Sequence, residues 1–190
     1  MKIRKWEIAL AVSFILSLLI AAPVRIQADL QSKLTRLHVV ANSDSEEDQA
    51  LKMRVRDAVL KAASGYESVC PELLSDIEKA AQDAAGEYKV SVSCGEEWFD
   101  TRRYDTFSLP CGRYNAVRVT IGEGKGKNFW CVVFPPLCAA VSEKELSAVP
   151  GLTGKEISFV TEDGAVCVVG FKIAELWGRV SKYVNFFEKS

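Results

Sequence analysis

The chain has 190 residues and a formal net charge of −1, which is enough for one domain of ordinary size after a targeting segment. A protein that binds nucleic acid needs a surplus of Lys and Arg on one face, because it must neutralise phosphates. With 24 basic and 25 acidic residues, the composition offers no such surplus and argues against a nucleic-acid partner.

The first residues have the pattern of a secretory signal, in which basic residues precede a short apolar run. Lys2, Arg4 and Lys5 come before the apolar and small-residue run Ile8–Ala22. This run is shorter than the ~20 residues that span a hydrocarbon core comfortably. Because the basic residues stay cytoplasmic, we expect the rest of the chain outside the cytoplasmic membrane.

Two fates of this segment are open. Ile26 and Ala28 form a passable small-residue cleavage site, and cleavage there would free residues 29–190. An uncleaved segment would instead hold the domain at the outer face of the membrane and contact it. In both cases we expect residues 1–28 to be a signal peptide or membrane anchor and residues 29–190 to form a single exported domain.

Six cysteines agree with an exported chain, since disulfides persist outside the reducing cytosol. The sequence does not choose among their pairings. Cys131 and Cys138 flank the stiff Phe134-Pro135-Pro136 turn, so a local bridge between them is geometrically reasonable. Cys167 lies in an apolar strand-like run, where a small buried thiol is an equally good interpretation.

The next segments predict a short strand followed by a helix. Leu34–Ala41 is rich in β-formers and ends in Asn42-Ser43-Asp44, residue types that bind free backbone N–H groups where a helix begins. Ser45 followed three residues later by Asp48 resembles a capping box. Apolar residues then recur at helical spacing over Leu51–Ala62, which predicts one buried stripe.

A second helix and a strand follow. The apolar stripe Leu73–Ala84 lies between Pro71, which suits a first helical position, and Gly86, which suits a helix end. The period then changes to two over Tyr88–Cys94, which predicts a strand with one wet face. Residues 95–112 are charged and rich in turn formers, so we expect an irregular loop there.

The central segments predict a pair of adjacent strands. Tyr114–Ile121 and Asn128–Phe134 alternate or run apolar as strands do, and Gly122–Lys127 (GEGKGK) joins them. We therefore expect a flexible, exposed hairpin tip, and loop tips on a rigid scaffold are good places to contact another protein.

The last segments predict another hairpin and a covering helix. Glu156–Val160 and Ala165–Val169 flank an Asp163-Gly164 turn. The amphipathic stripe within Ile173–Phe187 predicts a helix that covers the sheet. The expected fold class is α+β, with a mainly antiparallel sheet packed by two or three helices and preceded by an N-terminal signal or anchor helix.

Several kinds of catalytic chemistry lack their residues. His38 is the single histidine and is best interpreted as a satisfied strand histidine, and there is no C-x-x-C pair or G-x-S-x-G elbow. We therefore expect no metal and no cofactor. The glycine-rich run departs from a phosphate loop, because Asn128 stands where a hydroxyl is needed and a strand follows.

One enzymatic alternative stays open. Carboxylates of the 96–105 segment could act as a pair in an envelope hydrolase, although a charged run in a loop is usually solvated. The candidates are Glu96, Glu97, Asp100 and Asp105.

Two stretches resemble the stage II sporulation protein R family. The first is Arg36–Leu60 (RLHVVANSDSEEDQALKMRVRDAVL), and the second is Tyr104–Cys138, above all GRYNAVRVTIGEGKGKNFWCVVFPPLC from Gly112 onward. Together they cover about a third of the chain. Phe129 departs from the family's pattern, which has a second tryptophan before Trp130.

The resemblance implies a role in signalling during sporulation. Members of the family are made in the forespore, exported into the space between the two membranes of the developing spore, and sensed by a membrane-embedded aspartyl protease of the mother cell. That protease then processes the sigma-E precursor. The chain has no Asp-Thr-Gly or Asp-Ser-Gly signature, so the resemblance implies the activator and not the protease, and no enzyme.

The two stretches also suggest a partner-binding surface, because core packing does not demand their polar and glycine positions. The simpler interpretation is that the first turn only caps a helix and that Arg56-Asp57 is only a buried ion pair. The hypothesised contact residues are Asn42, Ser43, Asp44, Arg56, Asp57, Gly122, Gly124, Lys125, Gly126, Lys127, Asn128 and Trp130.

Overall fold

The computed structural model describes residues 4–104, 106–137, 149 and 151–161, together with Lys172, Leu176 and Val180. These residues fall into two compact units. One lies within residues 31–98 and 113–150 and is called the sheet unit; the other lies within residues 1–30, 99–112 and 151–190 and is called the terminal unit. The expectation of a single domain over residues 29–190 stays a prediction.

Ten helices and strands have defined bounds. In chain order they are α1 (Lys5–Lys33), β1 (Thr35–Val40), α2 (Glu46–Ala63), α3 (Pro71–Ala85), β2 (Val90–Phe99), β3 (Arg102–Arg103), β4 (Ser108–Leu109), β5 (Gly112–Ile121), β6 (Asn128–Phe134) and α4 (Gly154–Val160).

The main sheet has the strand order β2-β5-β1-β6. Strand β1 runs parallel to β5 and antiparallel to β6. The Gly122 N–H at the end of β5 donates to the Lys89 carbonyl just before β2, at 2.8 Å, so β2 and β5 run antiparallel. The predicted α+β class with a mainly antiparallel sheet is confirmed.

The helices α2 and α3 begin and end where their capping residues predicted. The Ser45 hydroxyl accepts a hydrogen bond from the Asp48 N–H at 3.2 Å and starts α2. Pro71 opens α3, where a missing N–H costs nothing, and Gly86 closes it with a positive φ of 64°. Both predicted helices are therefore confirmed.

Both helices pack on one face of the sheet, because alternate strand residues point to the same side. The core contains apolar residues of α2 and α3 at helical spacing and alternate residues of three strands, all buried: Leu51, Val55, Val59, Leu73, Ile77, Leu37, Val39, Val117, Val119 and Cys131. Alternation places polar and aromatic side chains on the opposite face. Arg36, which is 0% exposed, lies there with its guanidinium carbon 5.1 Å from the centre of the Tyr114 ring.

The segment 95–112, expected as a loop, is partly strand. Strand β2 continues to Phe99, and β3 pairs with β4 in an antiparallel hairpin. The charged residues misled the prediction, because a solvated strand edge accepts charge as readily as a loop does.

In the terminal unit, the last turns of α1 are buried on one side. Gln27 and Leu30 are buried, and the Gln27 amide donates to the Cys111 carbonyl at 2.9 Å. In the part of the chain that the structure describes, no helix is long and apolar enough to cross a membrane.

The hairpin expected from Glu156 onward is wrong in its first half. Gly154–Val160 is helix α4, since Thr153 and Glu156 form a capping box: the Thr153 N–H donates to the Glu156 carboxylate at 2.6 Å, and the Glu156 N–H donates to the Thr153 hydroxyl at 3.4 Å. The second half, Ala165–Val169, lies outside the described residues.

Three positions of the expected carboxy-terminal helix are described. Lys172, Leu176 and Val180 have helical backbone. Leu176 is 65% exposed and Val180 is 46% exposed, so these two do not pack in the core as their stripe predicted. The rest of that helix lies outside the described residues.

Candidate functional site

The loop Gly122–Lys127 is not a hairpin tip. Strand β1 lies between β5 and β6, so the loop that joins them must cross the end of β1. It packs against the turn Asn42–Asp44, which follows β1 after Ala41. We call the loop and this turn together the composite surface. The two segments that carry the resemblance therefore meet in space.

Every backbone N–H of the loop has an acceptor within the protein. The bonds are Gly122 to the Lys89 carbonyl (2.8 Å), Glu123 to Asn42 Oδ1 (3.0 Å), Gly124 to the Ile121 carbonyl (3.1 Å), Lys125 to the Asn42 carbonyl (3.1 Å), Gly126 to the Ala41 carbonyl (2.9 Å) and Lys127 to Asp44 Oδ1 (2.7 Å). The loop is thus fixed by its own backbone. It has no N–H group left for a phosphate, so the geometry does not fit the phosphate-loop alternative.

The three glycines of the loop explain the G-x-G-x-G spacing. Gly122 and Gly124 have positive φ values of 58° and 63°, which side chains rarely adopt. Gly126 lies against the turn, and a Cβ there would overlap the carbonyl oxygen of Ser43. The glycines therefore permit the loop to dock, and this packing role accounts for them without contact to a partner.

Polar side chains of α2 support the composite surface from beneath. Lys52 is buried and its ammonium donates to the Gln49 side chain at 2.6 Å and to the Lys127 carbonyl at 3.0 Å. Burial lowers the pKa of Lys52. Asp48 accepts from the Ser43 hydroxyl at 2.6 Å and the Asn42 amide at 2.9 Å, and these bonds lower its pKa.

Sequence reasoning missed Lys52 and predicted for Asp48 only a role in a helix cap. Their signal was the spacing of Asp48, Lys52 and Arg56 at four-residue intervals, which places polar side chains in one row along a helix. Where such a row continues into a buried region, its polar side chains are expected to form hydrogen bonds with other polar groups of the protein rather than with water.

Arg56 and Asp57 form an ion pair on the surface. Nη2 and Nε of Arg56 lie 2.6 and 2.8 Å from Asp57 Oδ1, and the Asp57 side chain is 64% exposed. The interpretation as a buried ion pair is therefore wrong. The Arg56 guanidinium carbon lies 5.0 Å from the centre of the Phe129 ring, so the pair joins α2 to β6.

Asn128 and Trp130 lie beyond the loop, on the sheet face opposite the helices. The His38 ring stacks on Trp130 with centroids 3.7 Å apart. Its Nδ1 lies 2.7 Å from the Glu97 carboxylate, and its Nε2 lies 3.1 Å from Asn128 Oδ1. His38 is thus a satisfied strand histidine, as predicted.

Comparison with known proteins gives a family. The family model for stage II sporulation protein R (spore_II_R) matches residues 31–144, which is more than half of the chain. This chain belongs to the stage II sporulation protein R family. The match contains the whole composite surface.

A curated member of the stage II sporulation protein R family is similar to this chain. It is the stage II sporulation protein R of Bacillus subtilis (strain 168), 35% identical over 117 residues that cover 54% of this chain and 52% of the relative. The chain therefore spans about half the length of the curated relative it matches. No solved structure matches this chain.

Two of the four carboxylates of the hydrolase alternative, Glu96 and Glu97, do not converge. Glu96 and Glu97 are consecutive on β2 and so point to opposite faces of the sheet. Glu96 lies 3.8 Å from Arg113, whereas Glu97 lies 3.5 Å from Arg118 and is also bound by His38. A glycosidase needs two carboxyl groups in one cleft, which these two do not provide. Asp105 lies outside the described residues.

The described residues also bear on the predicted disulfide and on metal binding. Cys131 is disulfide-bonded, and Cys138 lies outside the described residues, so the local bridge stays a prediction. Of the other described cysteines, Cys70, Cys94 and Cys111 are not in disulfides. Over the same described ranges, no group of three His, Cys, Asp or Glu residues could hold a metal ion.

Proposed function

We propose that this member of the stage II sporulation protein R family is an exported signalling protein of sporulation that makes and breaks no bond itself. It is made in the forespore and acts beyond the cytoplasmic membrane, which its N-terminal segment contacts if it is not cleaved. There it binds a membrane-embedded aspartyl protease and activates processing of the sigma-E precursor.

The observation that carries this proposal is the composite surface. Two segments 83 residues apart in sequence, at Asp44 and Lys127, are held together by hydrogen bonds from the loop N–H groups to backbone and side-chain oxygens of the other segment. Their locking leaves charged side chains outside: Glu123 is 69% exposed and Lys125 is 74% exposed, in an ion pair of 2.6 Å. A loop that is already ordered loses little conformational entropy on binding, so such a surface suits docking.

The positions of His38, Glu96 and Glu97 support the binding part of this proposal. His38 is held by Glu97 and Asn128 and stacked on Trp130, so its ring is fixed as part of the sheet face. Glu96 and Glu97 diverge to opposite faces. These described groups favour a binding role over the envelope hydrolase.

Activation by binding has an energetic requirement. A ligand shifts a two-state enzyme from almost all inactive to almost all active when it binds the active state ~5.5 kcal/mol more tightly. A few well-placed side chains at the centre of an interface can supply that difference. The exposed lysines of the composite surface are the candidates.

The test is reconstitution of processing. The protease, the sigma-E precursor and the full chain are co-expressed, and precursor cleavage is measured for Lys125→Glu and Lys127→Glu. We expect at least a tenfold loss of cleavage with unchanged export and melting temperature, because breaking the exposed Lys125–Glu123 pair costs less than about 1 kcal/mol.

The matched control is Lys79→Glu, the same charge reversal at an exposed position of α3 outside the composite surface. It should leave cleavage unchanged. Normal cleavage with both loop variants would remove the composite surface as the docking face. Normal cleavage without this protein would remove the proposed function.

A further inference from the structure

The end of α1 differs from its beginning in how it is buried. The large apolar residues of the first turns are more than half exposed: Trp6, Ile8, Leu10, Val12, Phe14 and Ile15. From Val24 onward one side of the helix is covered, with Gln27 6% exposed and Leu30 1% exposed, while Arg25, Ala28 and Asp29 stay exposed. Spacings of three residues place the covered positions on one helix face.

Gln27 is fixed by a specific contact. Its amide donates to the Cys111 carbonyl at 2.9 Å, a buried bond across 84 residues of sequence. A buried carbonyl that loses its donor carries a desolvation penalty. Removal of residues 1–28 would take this donor away while Leu30 remained.

The expected cleavage bond lies in an unfavourable place. The bond between Ala28 and Asp29 is inside the uninterrupted helix Lys5–Lys33 and is flanked by the buried Gln27 and Leu30. Cleavage there would remove Gln27 and the turn that is covered from Val24 onward. A small-x-small pattern is also incomplete, because Ile26 is large.

We infer that the mature protein keeps α1 from Val24 onward, so that cleavage after Ala28 does not take place and the segment Val24–Lys33 is a structural part of the exported molecule. The inference rests on the export in the proposed function but not on docking to the protease. The last turns of α1 then join the N-terminal segment to the rest of the terminal unit.

The direct test reads the N-terminal residue of the native protein recovered from outside the cytoplasmic membrane of sporulating cells. A chain that begins at Val24 or earlier supports the inference, and a chain that begins at Asp29 overturns it. The readout is independent of sigma-E precursor processing, so its failure is distinguishable from failure of the proposed function.

A second test needs no export. In the purified full chain, Gln27→Ala should lower the melting temperature by about 2–4 °C, since one buried hydrogen bond is lost. Arg25→Ala, an exposed change on the same helix, should leave the melting temperature unchanged. Equal melting temperatures for Gln27→Ala and the parent chain would overturn the structural role of this segment.

Discussion

At the scale of single residues, Asn42 fixes the loop more than any other side chain of the turn. Its Oδ1 accepts from the Glu123 N–H, its carbonyl accepts from the Lys125 N–H, and its amide donates to Asp48. One residue thus binds the loop on one side and α2 on the other. A cap alone would not need all three bonds.

Replacing Asn42 should loosen the loop. We expect Asn42→Ala to lower the free energy of unfolding by about 1–3 kcal/mol, because the Glu123 N–H and Asp48 lose their partner. Urea unfolding measures the loss, and amide exchange at Glu123 should accelerate. Asn115→Ala, at an exposed position of β5, is the control. A loop that keeps its exchange protection in Asn42→Ala would contradict the assignment.

Asp48 should make the turn sensitive to acid. Hydrogen bonds from Ser43 and then Asn42 hold the pKa of Asp48 below its ordinary value of 3.8. A depressed pKa adds stability above the ordinary value, and this stability is lost as the pH falls below 3.8. The free energy of unfolding should therefore fall more steeply below that pH in the parent chain than in Asp48→Asn.

The charge change itself needs a control. Asp83→Asn removes an exposed carboxylate of α3 and should leave the acid limb of the stability curve as it is in the parent chain. An Asp48→Asn curve parallel to that of the parent would show that the bonds to Asp48 contribute nothing.

At the scale of elements, the loop Gly122–Lys127 is a close-packed piece of the fold rather than a free connection. Its glycines are needed where the chain turns at positive φ and where it touches the Asn42–Asp44 turn. The exposed side chains of Glu123 and Lys125 take no part in that packing. Under the proposed function, the glycines serve packing and the lysines serve binding.

Gly126 is the loop glycine whose Cβ would meet backbone of the Asn42–Asp44 turn. Gly126→Ala places a Cβ onto the Ser43 carbonyl oxygen, and the loop must lift from the turn. We expect a loss of about 1–3 kcal/mol in the free energy of unfolding, as overpacking usually costs. Precursor cleavage should fall with it.

Gly95→Ala is the matched control, because nothing lies within 4 Å of a Cβ at Gly95. It should change the free energy of unfolding by less than about 0.5 kcal/mol. Equal stability of the two glycine variants would mean that the loop does not pack on the turn.

At the scale of the whole molecule, the strand order determines which segments lie side by side on the surface. Strand β1 is inserted between β5 and β6, and this insertion brings the two family segments together. Neither segment forms the surface alone. A binding protein built in this way should lose function gradually with changes across the surface, whereas an enzyme loses it with a single carboxylate.

Glu96 separates these two outcomes. Glu96→Gln removes an exposed carboxylate that lies 3.8 Å from Arg113, so the change should alter stability by less than about 0.5 kcal/mol. Under the binding proposal, precursor cleavage continues at the parent rate. Loss of cleavage in a chain that is exported and folded would favour a hydrolase instead.

Sequence reasoning predicted local elements well and their neighbours poorly. The helices α2 and α3 follow from local signals, since Ser45, Pro71 and Gly86 fix their ends. The hairpin of β5 and β6 was wrong because nothing local records that β1 intervenes. Helix α4 was missed although Thr153 and Glu156 carry its capping signature, because the Asp163-Gly164 turn suggested strands.

The sequence predicted which residues belong to the candidate site, but not which contacts hold them together. Asn42–Asp44 and Gly122–Lys127 were assigned to one contact surface without a reason for their proximity, and the structure shows that hydrogen bonds join them. The glycines serve packing, while Lys52 was overlooked and Asp48 was interpreted only as part of a capping box. Periodicity identifies which face of a helix is polar, but only the strand order shows what that face meets.

The insertion of β1 has a consequence for timing. The first strand to leave the ribosome gains both neighbours only when residues 128–134 have followed it. Until β6 has paired, β1 is an edge strand of the sheet, and the Asn42–Asp44 turn gains its loop partner only after residues 122–127 have been made.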